Sequence, residues 1–234
     1  MSHDPARPAI SVGADGYPGG WVGVELADGA FRRAWVGSTV EALLAEVPSD
    51  AVVGVDMPVG LVDAGWRTAD LRARSLVGAR RSTVFAIPPR DVWDAADLAQ
   101  AQARCRDLTG SGLSAQTWAL RRKVLEVAAY PGRLFEVHPE LIFTTIAGRP
   151  LRYGKRTWSG QASRRSLLAR VGVVLPDDLG PAGVAAVDDV LDAAAVAWCA
   201  YRIGLGEGRH VPDPPAEHDR DTGHPIVIWY AGPA

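Results

Sequence analysis

Short apolar runs broken by Gly, Asp and Pro fill the first sixty positions, and stretches of helical spacing follow them. Ile10 to Asp15 is one such run, and a Gly16-Tyr17-Pro18-Gly19-Gly20 turn cluster separates it from Trp21 to Leu26. Asp28-Gly29 then joins that run to Phe31–Val36, a hairpin signal, so three consecutive antiparallel strands are expected. Thr39 to Val47 carries Val40, Leu43, Leu44 and Val47 on one stripe behind a Ser38 or Thr39 cap, which predicts a helix. Ala51 to Asp56 is almost wholly apolar, as in a strand buried on both faces, and Pro58 and Gly60 end it. A central parallel strand is expected there.

Beyond Arg67 the period lengthens. Helices are predicted near 68–77, 94–108 and 114–129, punctuated by Gly78, Pro88-Pro89 and Gly110-Ser111-Gly112, as a helical insertion spanning about 67–130. Leu134 to His138 reads as another buried strand, 162–171 as a basic helix closed by Gly172, and 188–203 as the last long helix. A possible edge strand lies at Ile226–Tyr230 after a proline-rich loop. The sum is an α/β fold: a mixed five-stranded sheet, three antiparallel strands followed by parallel ones, flanked by helices. One domain over residues 9–234 is expected, behind a disordered segment at 1–8.

Composition agrees with a globular protein: of 234 residues 47% are hydrophobic and 22% charged, and no apolar run nears the ~18 residues of a membrane helix. Met1 to Pro8 has no apolar run behind it, so neither a secretory signal nor a transit peptide is legible, and a cytoplasmic location is expected. Cys105 and Cys199 are far apart in apolar settings, which suits reduced buried thiols and argues against a cysteine-based zinc site. No repeat of 20 to 50 residues is visible. The net charge of −2 conceals a partition. Residues 67–170 hold 19 Lys and Arg against 8 Asp and Glu, a net of +11, while the flanks carry 6 against 19, a net of −13. Such a middle block suits a polyanion, or simply a solvated arginine-rich surface.

Several carboxylates fall where carboxylates are costly. Asp15 ends the first apolar run and Asp56 the central one, and an acid there loses hydration unless something cationic compensates. Strands one and four are neighbours in such a sheet, so both side chains converge at a crevice beyond the strand ends. Glu136 lies on the next strand. Asp189 and Asp192 share one face of the last helix, and Asp188 lies on roughly the same side. Carboxylates that share a site repel each other unless a divalent cation neutralises them, and hard oxygen ligands without cysteine point to Mg²⁺ or Mn²⁺. Plainer roles exist for each: a turn at Asp15 or Asp56, a helix cap at Asp188, an arginine partner for Glu136. Asp192 is too deep in its helix to cap it.

The segments Gly13-Ala14-Asp15-Gly16 through Gly19-Gly20-Trp21, Gly54-Val55-Asp56-Met57-Pro58-Val59-Gly60-Leu61, Arg80-Arg81-Ser82-Thr83-Val84-Phe85, Glu136-Val137-His138-Pro139-Glu140 and Asp188-Asp189-Val190-Leu191-Asp192-Ala193 resemble family 429 among the domains of unknown function. Lys155, Gly160 and Arg164 belong to the same resemblance, which runs in order from about residue 10 to 230. It implies a predicted RNase H-like nuclease. The wider resemblance is to Holliday-junction resolvases, in which a first-strand Asp, an acid ending the fourth strand and an Asp-x-x-Asp-Ala helix hold two divalent ions. The matching residues here are Asp15, Asp56, Asp189 and Asp192.

A metal-dependent nuclease acting on DNA or RNA through two Mg²⁺ or Mn²⁺ ions is therefore the leading expectation, with Asp15, Asp56, Glu136, Asp189 and Asp192 as catalytic candidates. His138 is a candidate proton shuttle, or else a structural histidine. Lys155, Arg156, Arg164 and Arg165 are candidates for phosphate contact, and Trp158 for stacking on a base. Recognition by structure rather than base sequence is expected. A non-catalytic nucleic-acid-binding or regulatory module on the same fold is the rival, and a sugar-kinase-like phosphoryl transferase a more remote one.

Overall fold

The computed structural model describes residues 9–232, so the segment 1–8 lies outside the described residues. Strands β1 (Ile10–Tyr17), β2 (Gly20–Ala27) and β3 (Ala30–Gly37) form the antiparallel meander. Its second turn places Asp28 at φ 50° and Gly29 at φ 80°, the two left-handed residues that a tight hairpin turn requires. After helix α1 (Val40–Leu44), strand β4 (Val52–Val55) pairs parallel to β1, and β5 (Phe135–Glu136) pairs parallel to β4. The sheet order is β3-β2-β1-β4-β5. This is the mixed five-stranded α/β sheet that the hydrophobic pattern predicts.

Between β4 and β5 the chain is helical: α2 (Thr68–Leu76), a 3₁₀ segment (Gly78–Thr83), α3 (Arg90–Trp93), α4 (Leu98–Thr109), α5 (Ala115–Ala119) and α6 (Arg121–Ala129). The helix expected over 94–108 starts late, at Leu98, and the stretch expected as one helix over 114–129 is divided. Asp97 caps α4 through Gln100 N, so that helix begins there, and Leu120 separates α5 from α6. Helix α7 (Pro139–Ala147) follows β5 and has no periodic signature, because Leu141, Ile142, Phe143, Thr144 and Ile146 are all buried. A helix buried on every side reads as a plain apolar run. Helix α8 (Trp158–Arg170) starts four residues earlier than its stripe suggests, at a Thr157 cap, and α9 (Val187–Gly204) is the long last helix. Ile226–Tyr230 is not an edge of the main sheet. Its strand β7 (Ile228–Tyr230) pairs with β6 (Arg209–Val211) in a separate two-stranded sheet, which meets the main sheet through a Val137–Trp229 bridge and an edge-on contact of Trp229 with Phe135 of β5.

Strand alternation divides the core. Val12 and Ala14 of β1 and Val53 and Val55 of β4 point to one face, where they pack with Leu43, Leu44 and Val127. Gly13 and Gly54, partners in the parallel register, open the other face to α9. A Cβ at Gly13 would lie 2.1 Å from the Ala193 carbonyl oxygen and 2.2 Å from the Ala197 nitrogen, and one at Gly54 2.8 Å from a Val196 methyl. Backbone therefore lies on backbone, and the small residues Ala193, Ala194, Ala195 and Ala197 of α9 are buried against the sheet. Among the described residues no helix is long and apolar enough to cross a membrane, and both cysteines are free and buried.

Candidate metal centre

The side chains that follow those two glycines by two positions are Asp15 and Asp56. Alternation puts them on the face that α9 covers, and the Asp56 N–H donates to the Ala14 carbonyl at 2.9 Å, holding the two strand ends together. Asp15 lies inside β1, which continues to Tyr17, and its Oδ1 accepts from the Gly16 N–H rather than starting a turn. Asp192 precedes Ala193, whose carbonyl sits over Gly13, so the close helix contact delivers a third carboxylate to the same place. One oxygen from each of Asp15, Asp56 and Asp192 lies within 4.8 Å of the others. Asp15 and Asp192 are each only 4% exposed.

A lysine answers this negative charge. Lys155 Nζ donates to Asp192 Oδ2 at 2.6 Å and stands 3.7 Å from Asp188 Oδ2, which also meets Arg156 Nε at 3.4 Å. The loop that carries both cations is anchored by buried chemistry. Arg164, fully buried, donates to Glu140 Oε2 and to the Tyr153 carbonyl, and Arg80 Nε donates to the Leu151 carbonyl at 2.9 Å. Gly160 completes the anchor, since any Cβ there would collide with the Gly154 carbonyl.

Burial pushes Asp15 well above the usual carboxylate range, and repulsion from Asp56 and Asp192 adds to it. Burial likewise lifts Asp56 to about 7 against the pull of Lys155, with Asp189 adding repulsion. Asp192 reaches about 7 for the same reasons, opposed by Lys155 and raised by Asp56. Burial works against the Lys155 charge, but Asp192, with Asp15 and Asp56 behind it, holds the ammonium above the ordinary lysine value. A group of acids that resists ionisation and a cation that resists neutralisation are two sides of one crowded anionic site. The triad, Lys155, Arg156 and half-buried Asp189 line a cavity of about 600 Å³.

The other sequence candidates stand outside the triad, though Glu136 and His138 line the same cavity. Register pairs Glu136 with Val55, not with Asp56, so its side chain leaves the sheet on the opposite face. There both its oxygens are engaged, Oε1 by Arg67 and Oε2 by the Val59 N–H at 2.7 Å, in a buried ion pair. Arg67, fully buried, pairs with Asp70 as well. Arg164 is likewise corrected from phosphate ligand to buried anchor. Arg165 binds Asp177 at 2.8 Å, and Trp158 is 87% exposed at the start of α8. His138 Nε2 lies 3.2 Å from the Thr83 carbonyl oxygen, and burial lowers its pKa, favouring the neutral ring. Asp188 does not cap α9, whose first turn is preceded by Ala186. Sequence reasoning missed Lys123, whose chain crosses Gly16 and whose charge is felt by Asp15, and it missed the Arg67–Asp70 pair. The only signal for that pair was an Arg and an Asp three apart at a helix start.

An α/β protein with a mixed sheet and a buried carboxylate triad where its two central parallel strands end is the class that this geometry defines. Within it the chain belongs to the family described as protein of unknown function (DUF429), whose model matches residues 13–217. No curated protein and no solved structure matches it.

Proposed function

We propose that the protein is a divalent-metal-dependent nuclease on an RNase H-like fold, hydrolysing phosphodiester bonds of DNA or RNA. The observation that carries this reading is the meeting of Asp15, Asp56 and Asp192, from three separate elements, within 4.8 Å. The resemblance of the same segments to predicted RNase H-like nucleases supports it. The donor set fits Mg²⁺ or Mn²⁺, because it offers only hard oxygens, at net negative charge, from scaffolds too rigid to separate. Asp15, Asp56 and Asp192 would hold the ion, and a second ion would draw on Asp189 at the cavity wall. When bound, such an ion supplies Lewis-acid stabilisation of phosphoryl oxygen and acidifies water. Lys155 would place a fixed positive charge beside the reacting phosphate, and Arg156 on the same loop would help to orient it.

The test is cleavage of a nucleic-acid panel by the purified protein with Mg²⁺ or Mn²⁺. Wild type cuts at least one member, and Asp15→Asn and Asp192→Asn abolish cutting while retaining the fold by circular dichroism. Equal behaviour of wild type and variants across the panel overturns the reading. The Lys155–Asp192 contact favours one alternative, a non-catalytic binding module in which the ammonium stands in for a cation. Nucleic-acid binding with neither metal binding nor cleavage would select it.

A further inference from the structure

We infer that the substrate enters as an unpaired, nucleotide-sized phosphodiester rather than as part of an intact duplex. The inference rests on the hydrolytic reading and adds the substrate class to it. Its first ground is access. The three carboxylates line a cavity whose ~600 Å³ lies in the range of small-ligand pockets, about 300–1,000 Å³. The segment around residues 80–87 and the anchored 153–157 loop both line it, joined where Arg80 meets the Leu151 carbonyl. A phosphate embedded in a base-paired duplex keeps the second strand beside it and cannot follow the first into such a space.

The second ground is the chemistry of the walls. Met57, Val84, Phe85, Ile87 and Leu120 present apolar surface, while Lys155 and Arg156 present cations next to the triad. On the same cavity sit buried polar atoms without a hydrogen-bond partner: His138 Nδ1, Arg80 Nη2 and Glu140 Oε1. Glu140 is 6% exposed, its other oxygen is held by Arg164, and the free oxygen has only Arg80 Nε at 3.5 Å. Unpaired buried polar atoms are rare, so a donor, Arg80 Nη2, and two acceptors, His138 Nδ1 and Glu140 Oε1, on residues around one cavity mark where a ligand completes them. A single nucleotide matches the whole set. Its phosphodiester meets the cations and the triad, the flat faces of its base meet the apolar wall, and the base's edge carries the donors and acceptors that duplex pairing would otherwise consume.

Two measurements test this together. In the first, thymidine 5′-monophosphate is titrated into the protein with Mg²⁺ by calorimetry. In the second, hydrolysis with Mn²⁺ is compared for thymidine 5′-(4-nitrophenyl phosphate), a linear single-stranded oligonucleotide, and a covalently closed duplex circle. The nucleotide is expected to bind with a Kd on the order of micromolar, and the small diester to be cut with a kcat/KM within about tenfold of the single strand. The closed circle is cut at least about a hundredfold more slowly. Phe85→Ala raises the KM of the small diester about tenfold. So does His138→Gln, which keeps a nitrogen facing the Thr83 carbonyl and removes Nδ1, so a folding defect in one variant does not decide the matter. Cleavage of the closed circle as fast as of the single strand, with no nucleotide bound, overturns the inference and leaves the nuclease standing. Nucleotide binding with no diester hydrolysed upholds the inferred ligand and brings down the hydrolytic reading. Neither binding nor hydrolysis brings down both.

Discussion

At the scale of residues, the site is a matter of which charge faces which. Glu136 and Asp56 are both acids at the ends of neighbouring parallel strands, yet a one-residue difference in register sends them to opposite faces of the sheet. The sequence shows both acids and their apolar surroundings; it does not show the register, which is a relation between strands eighty residues apart. Arg164 illustrates the same limit, because its burial against Glu140 is invisible in a helix whose other arginines face water. Arg164→Ala leaves the buried Glu140 carboxylate with only its longer contact to Arg80, and the expected loss of stability is about 3–5 kcal/mol. Urea denaturation measures it, and a loss below about 1 kcal/mol would show that the pair is not an anchor. Arg164→Lys, which keeps the charge but lacks the fork needed to reach both Glu140 and the Tyr153 carbonyl, is expected to recover only part of that loss.

At the scale of elements, the decisive contact is α9 against β1 and β4. The strand and helix periods predict these elements within a few residues, and the alanine run of α9 is plain to read. That Gly13 and Gly54 stand side by side, so that a helix backbone can lie on them, follows only from the parallel pairing. Gly13→Ala would place a methyl 2.1 Å from the Ala193 carbonyl, so α9 must lift. Overpacking of this kind costs about 1–3 kcal/mol, and the displacement also carries Asp192 away from Asp15. The expected result is a lowered melting temperature together with weaker Mn²⁺ binding by calorimetry. Gly65→Ala, where nothing lies within 4 Å, strains a positive φ without touching α9, and it is expected to cost stability while leaving Mn²⁺ binding at the wild-type value. Helix α7 was not legible because burial on every side erases the periodicity that identifies a helix.

At the scale of the whole molecule, the opposed charge blocks meet at a few points. Arg90 pairs with Asp219 and Asp221, Arg165 with Asp177, Lys155 with Asp188 and Asp192, and Arg156 with Asp188, while Arg67, Arg80, Arg122 and Arg164 pair with acids of the basic block itself. The acids that remain crowded together set a pH dependence. Asp56 and Asp192 titrate near 7 in the folded protein against a usual 3.8, so the fold retains protons that the unfolded chain has already lost. Their contribution to stability is therefore complete below about pH 4 and disappears as pH rises through about 7. A divalent cation binds the ionised carboxylates, so the rise in melting temperature on adding Mn²⁺ is expected to be larger at about pH 8 than at about pH 5.5, and EDTA to reverse it. A rise independent of pH would place the ion elsewhere. By itself the sequence determined most of the strand and helix order, α7 and β6 apart, the sheet class and the four aspartates that resemble a metal centre, because periodicity and motif are local properties of a chain. Tertiary structure alone decided that three of those aspartates meet, that Lys155 faces them and that Glu136 and Arg164 turn away, because register, helix approach and burial are relations between segments that only the folded packing brings together.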